Sequence, residues 1–229
     1  MKKHIFFDLD RTLWDFETNS HETLLEICDK YNLNELGVAD YLEFIKRYKV
    51  INEQLWGMYR VDKITQTDLR RERFQQTLAS YNIFDSKLSE KIGEDYIEIC
   101  PRKTKLYPFT FEVLDYLEVK YQLHIITNGF HKTQHIKLDY SNLGSYFNQI
   151  ITSEQVGVKK PDPRIFEFAL HKAKASVEES VYVGDDLEVD ILGCQNYGID
   201  GLFFNPKKIK HSETLKYEIE CLSDIMEIF

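Results

Sequence analysis

Two carboxylates with a fixed spacing follow a short apolar run near the start of the chain. Asp8 comes directly after the run Ile5-Phe6-Phe7, and Asp10 stands two positions later. Because alternate residues of a strand point to the same face, both carboxylates are expected to project the same way. Two like charges this close favour a divalent cation between them. The alternative is a strand that ends in a polar turn, where aspartate is common.

A hydroxyl group and a lysine lie near the ends of later predicted strands. Thr127, followed by Asn128 and Gly129, ends the predicted strand 123–127. A small hydroxyl with free backbone N–H groups behind it suits a phosphate oxygen, although Asn-Gly is also an ordinary turn sequence. Lys160 could neutralise a phosphoryl group there. The alternative is a solvated surface lysine before a helix cap, which is the commoner case for a lone lysine.

Three more aspartates stand after another predicted strand. The strand 180–183 leads into Gly184 and then into Asp185, Asp186 and Asp190. Carboxylates grouped after a buried strand can form a shelf for a metal ion. The alternative is that they only favour the start of a helix, because the helix dipole stabilises acidic residues in the first turn.

The elements that must position these residues follow two patterns. Between residues 34 and 100, apolar residues recur at three- and four-residue steps, which predicts a subdomain of about four helices. After residue 101, strands and helices alternate, which predicts a doubly wound parallel α/β sheet that includes the first strand. The predicted division is an α/β core of residues 1–16 and 101–229 with an inserted helical subdomain of residues 17–100. The predicted strands are 123–127, 149–152, 180–183 and 201–204, and the predicted helices include 15–31 (capped by Thr18 or Ser20), 111–121, 131–142, 162–174 (capped by Asp162) and 187–197, with a short strand and a final helix in 217–229.

The overall composition excludes several classes of partner. The chain has 229 residues and a net charge of −9, which argues against binding to a nucleic-acid polymer because such binding needs a basic surface. No stretch has the length and apolar character of a membrane span or a signal-peptide core. The four cysteines have no metal-binding spacing, and we expect reduced thiols in a cytoplasmic protein.

The order of the polar groups is more specific than any one of them. Asp-x-Asp-x-Thr from Asp8, then Thr127, then Lys160-Pro161, then Gly-Asp-Asp-x-x-x-Asp from Gly184 resembles the haloacid dehalogenase-like (HAD) hydrolase superfamily. The resemblance covers the whole chain. It implies a Rossmann-like core in which the helical insert serves as a cap.

The resemblance also implies a role for each residue. Asp8 would be the nucleophile that forms an aspartyl phosphate, and Asp10 would protonate the leaving oxygen and then deprotonate water. Thr127 and Asn128 would bind the phosphoryl group, and Lys160 would stabilise its charge.

The metal implied by the resemblance is Mg²⁺, a hard cation that prefers oxygen ligands. Asp8, the backbone carbonyl of Asp10 and Asp185 would hold it. Asp190 would orient Lys160 or a water bound to the metal, and Asp186 would do the same or cap the following helix.

Two features place the chain within the superfamily. The haloacid dehalogenases themselves usually lack a second aspartate at the position of Asp10 and need no metal, so its presence favours phosphoryl transfer. Arg11 departs from the pattern, because many members have glycine there, and it would bring a positive charge near the site. Segments 48–56, 70–74 and 125–130 resemble the pyrimidine 5′-nucleotidase branch.

That narrower resemblance implies that cap side chains bind a nucleobase. For the aromatic candidates, core packing between helices is an equally good interpretation. The candidates are Asn52, Trp56, Tyr59 and Arg73.

The expected function is a Mg²⁺-dependent phosphomonoesterase that acts on a small phosphorylated metabolite, with pyrimidine nucleoside monophosphates as the first choice. A phosphatase of sugar phosphates or other small metabolites is the nearest alternative, since only the cap would differ. A phosphomutase and a non-catalytic binding module are further alternatives. The complete set of core residues argues against a binding module.

Overall fold

The computed structural model describes every residue from Met1 to Phe229. The chain forms two compact units, an α/β unit made of Met1–Phe16 and Thr104–Phe229 and a helical unit made of Glu17–Lys103. The sequence pattern predicts the end of the helical unit at residue 100, three residues before its end in the structure. No helix in the structure has both the length and the apolar character needed to cross a bilayer. All four cysteines are free thiols.

The α/β unit is built on a six-stranded parallel sheet, which confirms the predicted doubly wound architecture. The strand order is β3-β2-β1-β4-β5-β6, so the first strand in the chain lies in the middle of the sheet, between β2 and β4. The strands are β1 (His4–Phe7), β2 (Gln122–Thr127), β3 (Phe147–Thr152), β4 (Ser180–Gly184), β5 (Asp200–Phe204) and β6 (Tyr217–Ile219).

The helical unit contains four long helices, three of which start at a side-chain cap. Asp40 and Asp85 cap two of them by accepting hydrogen bonds from backbone N–H groups of the first turn. Thr65 caps a third through a reciprocal capping box with Asp68. The helices are α1 (Phe16–Lys30), α2 (Tyr41–Arg60), α3 (Gln66–Ala79) and α4 (Ser86–Ile99).

The predicted cap of α1 is wrong. Thr18 and Ser20 both lie inside the helix, which begins at Phe16. The Ser20 hydroxyl instead lies 2.8 Å from the hydroxyl of Tyr96 in α4. Ser20 is therefore buried by packing between helices rather than used at a helix end.

The remaining helices flank the sheet. Asp162 caps α8 as predicted, since its side chain accepts from the backbone N–H of Arg164 and Pro163 takes the first helical position. One face of the sheet packs against α8 through a core that includes Phe6, Tyr182 and Phe166. The helices are α5 (Thr110–Glu118), α6 (His131–Tyr140), α7 (Ser153–Val156), α8 (Pro163–Ala173), α9 (Gly193–Tyr197) and α10 (Ile225–Ile228).

The segment predicted as one helix over 187–197 has two parts. Leu187–Leu192 is π-helical, and α9 follows it. The carbonyl of Asp186 accepts from the N–H of Asp190 at 3.0 Å and from that of Ile191 at 3.2 Å. Hydrophobic periodicity does not reveal this widened turn, which is of the kind often found at functional sites.

Candidate active site

Three neighbouring strands bring the candidate residues to one edge of the sheet. Asp8 follows β1, Thr127 ends β2 and Asp185 follows β4. The backbone N–H of Asp8 donates to the carbonyl of Val183 at 2.8 Å, which extends the β1–β4 pairing to the catalytic candidate. Because the strands are parallel, all three side chains lie at the carboxyl edge, where open α/β sheets bind their ligands.

Lys160 is the centre of a buried network at this edge. Its Nζ donates to Oδ1 of Asp8 at 2.6 Å, to Oδ1 of Asp190 at 2.7 Å and to the hydroxyl of Tyr182 at 2.8 Å. An ammonium group has three N–H donors, so all three are used. Lys160 is 2% exposed, which rules out the interpretation as a solvated surface lysine. The other oxygen of Asp8, Oδ2, is left for another partner.

The charges in this network shift one another. Burial raises the pKa of Asp8 to about 7, against the opposing effect of Lys160, and Asp190 adds to the increase. Burial likewise raises the pKa of Asp185 well above its usual range, with repulsion from Asp190 and Asp8 in the same direction. For Lys160, burial disfavours the charged form, but attraction to Asp190 and Asp8 outweighs it and raises the pKa. Shifts of this kind concentrate at functional sites.

Asp190 approaches the network only because residue 184 is glycine. A Cβ on Gly184 would lie 2.4 Å from Oδ2 of Asp190, so any other residue at position 184 would push Asp190 out of its place. That Oδ2 accepts from the backbone N–H of Asp186, while Oδ1 is held by Lys160. The Asp186 carboxylate itself accepts from two backbone N–H groups of the next turn, which is the helix-capping role that was its alternative interpretation.

Three carboxylates could share a metal ion. Oxygen atoms of Asp8, Asp185 and Asp190 all lie within 4.8 Å of one another. The Asp10 side chain is not part of this group. Hard oxygen donors of this type match the preference of Mg²⁺. Burial, with repulsion between the carboxylates, raises the pKa values of Asp8 and Asp185, and a bound cation would oppose both effects.

The Thr127 hydroxyl has one remaining hydrogen-bonding function. Its Oγ1 accepts from the N–H of Gly129 at 3.0 Å and from Nε2 of Gln134 at 2.7 Å. Both lone pairs are used, so the O–H is left to donate, as a phosphate oxygen would require. The Asn128 amide forms two hydrogen bonds with the backbone of Lys160, at 2.8 and 3.0 Å. Its side chain is thus committed, and the phosphate-binding prediction stays open only for its backbone N–H.

The Asp10 carboxylate is held by two residues that the sequence analysis did not single out. Lys137 Nζ lies 2.5 Å from Oδ1, and Gln134 Nε2 donates to Oδ2 at 3.0 Å. Both residues belong to α6 and stand three positions apart, so they share one face of that helix. That spacing, on a helix that directly follows the Thr127 loop, was the only signal in the sequence.

Arg11 adopts a left-handed backbone conformation with φ of +66°. Glycine adopts this conformation without strain, which accounts for the glycine that many superfamily members have here. The Arg11 guanidinium lies 4.9 Å from the centroid of the Phe16 ring. Burial raises the pKa of Asp185, and the positive charge of Arg11 opposes that increase, so Arg11 does act on the site.

The four nucleobase-binding candidates belong to the helical unit. Asn52, Tyr59 and Arg73 are buried, and Trp56 is half-buried. The Trp56 and Tyr59 rings contact each other edge to face at 5.6 Å, which fits the packing interpretation. Arg73 differs, because its guanidinium lies over the Tyr96 ring at 4.6 Å while its Nε has no hydrogen-bond partner. Oδ1 of Asn52 is also buried without a partner.

A lysine-bound aspartate thus stands at the end of a central strand of a doubly wound parallel sheet, at the edge where such sheets bind ligands. The comparison with protein families gives the class of protein. The family model described as haloacid dehalogenase-like hydrolase matches residues 5–204, so the chain belongs to this family. Within the family it is a phosphatase, as its relatives indicate.

Three relatives and one solved structure are similar over nearly the whole chain. The pyrimidine 5′-nucleotidase PynA of Streptococcus pneumoniae is 30% identical, over 98% of this chain and 94% of that protein. The pyrimidine 5′-nucleotidase YjjG of Escherichia coli is 34% identical, over 88% and 85% respectively. A glyceraldehyde 3-phosphate phosphatase of Methanothermobacter thermautotrophicus is 32% identical, over 100% and 98%. The magnesium-bound crystal structure of the Bacillus subtilis HAD-hydrolase YfnB superposes with a TM-score of 0.89 at 26% identity, over 99% and 98%.

Proposed function

We propose that the protein is a Mg²⁺-dependent phosphomonoesterase that works through an aspartyl-phosphate intermediate. The observation that carries this proposal is the state of Asp8. One of its oxygens is fixed by Lys160 at 2.6 Å, and the other is left free at the edge of the sheet that also presents the Thr127 hydroxyl. A carboxylate fixed in this way is oriented for nucleophilic attack on phosphorus.

The donor set supports Mg²⁺ as the metal. We assign Asp8, Asp185 and the backbone carbonyl of Asp10 as its ligands. Asp190 has one oxygen on Lys160 and the other on the N–H of Asp186, so we assign it an orienting role outside the coordination sphere. When bound, the metal would neutralise charge on the phosphoryl oxygens and on the surrounding carboxylates.

The protein residues then divide the chemistry into two displacements. Asp8 attacks phosphorus while Asp10 gives a proton to the leaving oxygen. In the second displacement Asp10 takes a proton from water, which attacks the phosphorus and releases phosphate from Asp8. Thr127 donates its hydroxyl hydrogen to a phosphoryl oxygen, and the Lys160 charge stabilises both transition states.

For the substrate, we propose nucleoside 5′-monophosphates, pyrimidine ones first. The two nucleotidase relatives support this class. Within the helical unit, the unpartnered atoms of Asn52 and Arg73 support it as well. The amide oxygen of Asn52 can accept from a pyrimidine N–H, and the guanidinium Nε–H of Arg73 can donate to a pyrimidine carbonyl. Trp56 and Tyr59 remain stacking candidates in this proposal.

A sugar-phosphate phosphatase is the second candidate, because a relative of 32% identity is a glyceraldehyde 3-phosphate phosphatase. The α/β unit would perform the same chemistry on either substrate. The choice therefore depends on the leaving group that the enzyme accepts.

The test is phosphate release from a panel of nucleoside monophosphates and sugar phosphates, with Mg²⁺ and with a chelator. We expect chelator-sensitive release that is fastest from pyrimidine monophosphates. Release mainly from sugar phosphates would reject the nucleotide assignment and keep the mechanism. Undiminished release in the chelator would reject the metal assignment.

A further inference from the structure

The α6 helix buries two polar side chains that the roles above do not use. Gln134 is fully buried, and Lys137 is 5% exposed. Their donors reach both oxygens of the Asp10 carboxylate, at 3.0 Å from Gln134 and 2.5 Å from Lys137. A carboxylate gripped at both oxygens by one helix cannot rotate without breaking both contacts.

The Gln134 amide also ties Asp10 to the phosphate-binding loop. Nε2 donates to Asp10 and to Oγ1 of Thr127, so one amide group spans the two side chains. The loop has room for this amide because residue 129 is glycine and has no Cβ. A Cβ at that position would lie 2.3 Å from Nε2 of Gln134. Oε1 of the same amide is buried without a partner. Buried polar atoms are rarely left unpaired, so an orientation that sacrifices one acceptor to serve two site residues indicates a functional constraint.

Lys137 is enclosed by aromatic rings. Its ammonium lies 4.4 Å from the centroid of the Trp14 ring and 5.8 Å from that of Phe16, and its ion pair is with Asp10. A buried ion pair is weak evidence for stability, because desolvation of the two charges offsets much of their attraction. The Lys137–Asp10 ion pair is better explained by the orientation that it imposes on the Asp10 carboxylate.

We propose that Gln134 and Lys137 are positioning residues that hold the Asp10 carboxyl group for both of its proton transfers. This inference rests on the proposed function. In the first transfer, the bond between phosphorus and the leaving oxygen breaks, and that oxygen receives the Asp10 proton. In the second, Asp10 receives a proton from the water that attacks the phosphorus. A freely rotating carboxyl group would be aligned for neither transfer.

The experiment compares leaving groups that need a proton with one that does not. The variants are Gln134→Leu and Lys137→Met, and the matched control is Lys132→Met, which removes an exposed lysine from the same helix. The substrates are a nucleoside 5′-monophosphate, which leaves as a poor alkoxide, and p-nitrophenyl phosphate, whose nitrophenolate leaves unprotonated. First-turnover and steady-state rates are measured for both, together with KM and thermal unfolding.

We expect first-turnover cleavage of the nucleotide to slow about 100-fold in both variants, which is within the range of general acid catalysis. Nitrophenolate should appear in a nearly normal burst of one equivalent, followed by a slow steady state, because water attack still needs the base. KM for the nucleotide should change little because both steps slow together, whereas KM for p-nitrophenyl phosphate should fall together with its slower second step. Lys132→Met should match the parent. Equal slowing of both first turnovers, or behaviour like that of the control, would overturn the inference.

A double variant covers the case in which Lys137→Met fails to fold. Asp10→Asn with Lys137→Met leaves no unpaired charge at this position, and it should be no slower than Asp10→Asn alone, since Lys137 acts through Asp10. A further loss of tenfold or more would contradict that. If the parent cleaves only sugar phosphates, the nucleotide proposal fails, and the same contrast is run with a sugar phosphate as the poor leaving group.

Discussion

The candidate active site and the helical unit differ in how their buried polar groups are paired. At the candidate active site, the three donors of Lys160 and both oxygens of Asp190 have partners in the protein. In the helical unit, Nε of Arg73 and Oδ1 of Asn52 are buried without partners. An unsatisfied buried group costs about 1–3 kcal/mol, so it persists where it serves some other purpose. The difference favours a rigid reaction centre in the α/β unit and a ligand-binding role for Asn52 and Arg73 in the helical unit.

The α/β unit also has exceptions, at Gln134, His124, Ser141 and His211, and the first two are instructive. Oε1 of Gln134 is unpartnered beside the site, where the other end of its amide holds Asp10. Nδ1 of His124 is unpartnered inside the sheet. Neither group carries a charge when His124 is neutral. Arg73 is therefore unusual in being a buried cation that relies on aromatic rings.

The largest expected effect comes from breaking the reaction centre at Asp8. Asp8→Asn retains the volume and an oxygen for Lys160 but removes the nucleophile, so we expect activity to fall at least about 1,000-fold on every substrate. Asp162→Asn is the matched control, because it makes the same chemical change at a helix cap and asparagine caps equally well. Turnover and thermal unfolding are measured for both. Full turnover by folded Asp8→Asn would remove this residue from the nucleophile role.

The next largest effect tests the helical unit. Arg73→Met removes the buried guanidinium, and we expect kcat/KM for pyrimidine monophosphates to fall about 10- to 100-fold, the worth of a hydrogen bond from a charged group. Turnover of p-nitrophenyl phosphate should stay within a factor of about two of the parent, since that substrate has no base to recognise.

The same substitution should raise the free energy of unfolding by about 1 kcal/mol, because it removes a buried charge that lacks a full set of partners. The control is Arg71→Met, an exposed arginine on the same helix. A variant with lower stability and an unchanged substrate ratio would mean that Arg73 is only a packing residue. The contrast between the units would then lose its functional meaning.

A smaller effect is expected from loosening the reaction centre at Tyr182. Its hydroxyl accepts from Lys160 and donates to the carbonyl of Ile126 at 3.0 Å. Tyr182→Phe should lower kcat about 5- to 10-fold with little change in KM, the effect of one hydrogen bond. A drop in KM alone, or an unchanged kcat, would show that the network tolerates an unsatisfied lysine donor. Steady-state kinetics on a single nucleotide decide this.

The sequence was sufficient for the strand-end residues, because the position of Asp8, Thr127 and Asp185 follows from strand order and parallel pairing. Lys160 was ambiguous in isolation, since a lysine before a helix cap is normally solvated. It was assigned through its place in the motif order. The sequence did not predict that the Asn128 side chain bonds to the backbone of Lys160, because that contact depends on two loops meeting in space.

The residues that hold Asp10 could not be derived from periodicity. Gln134 and Lys137 are polar residues on a short helix, where such residues normally face solvent. Their burial depends on the position of α6 relative to β1 and β2, which is a tertiary property. The π-helical turn that positions Asp190 is equally invisible, since its widened hydrogen bonding leaves no signature in composition.

The smallest effect concerns the second exception, His124. Nε2 of its ring lies 3.2 Å from Nδ1 of His4, and burial lowers the pKa of His124 to about 4, with repulsion from His4 in the same direction. Between pH 7 and pH 4 the unfolded chain gains a proton on this imidazole that the folded chain does not. The free energy of unfolding should therefore decrease as the pH is lowered from 7 to 4, by up to about 3 kcal/mol from this group.

His124→Leu should flatten that part of the stability–pH curve, measured by denaturant unfolding at intervals from pH 7 to pH 4. His171→Gln, which removes a histidine at an exposed position of α8, is the matched control variant. If His124→Leu leaves the slope unchanged, the folded protein accepts a proton on His124, and the α/β unit tolerates a buried cation without a full set of partners. The buried, incompletely paired charge of Arg73 would then no longer distinguish the helical unit from the α/β unit. Only the effect of Arg73→Met on substrate preference would separate the two units.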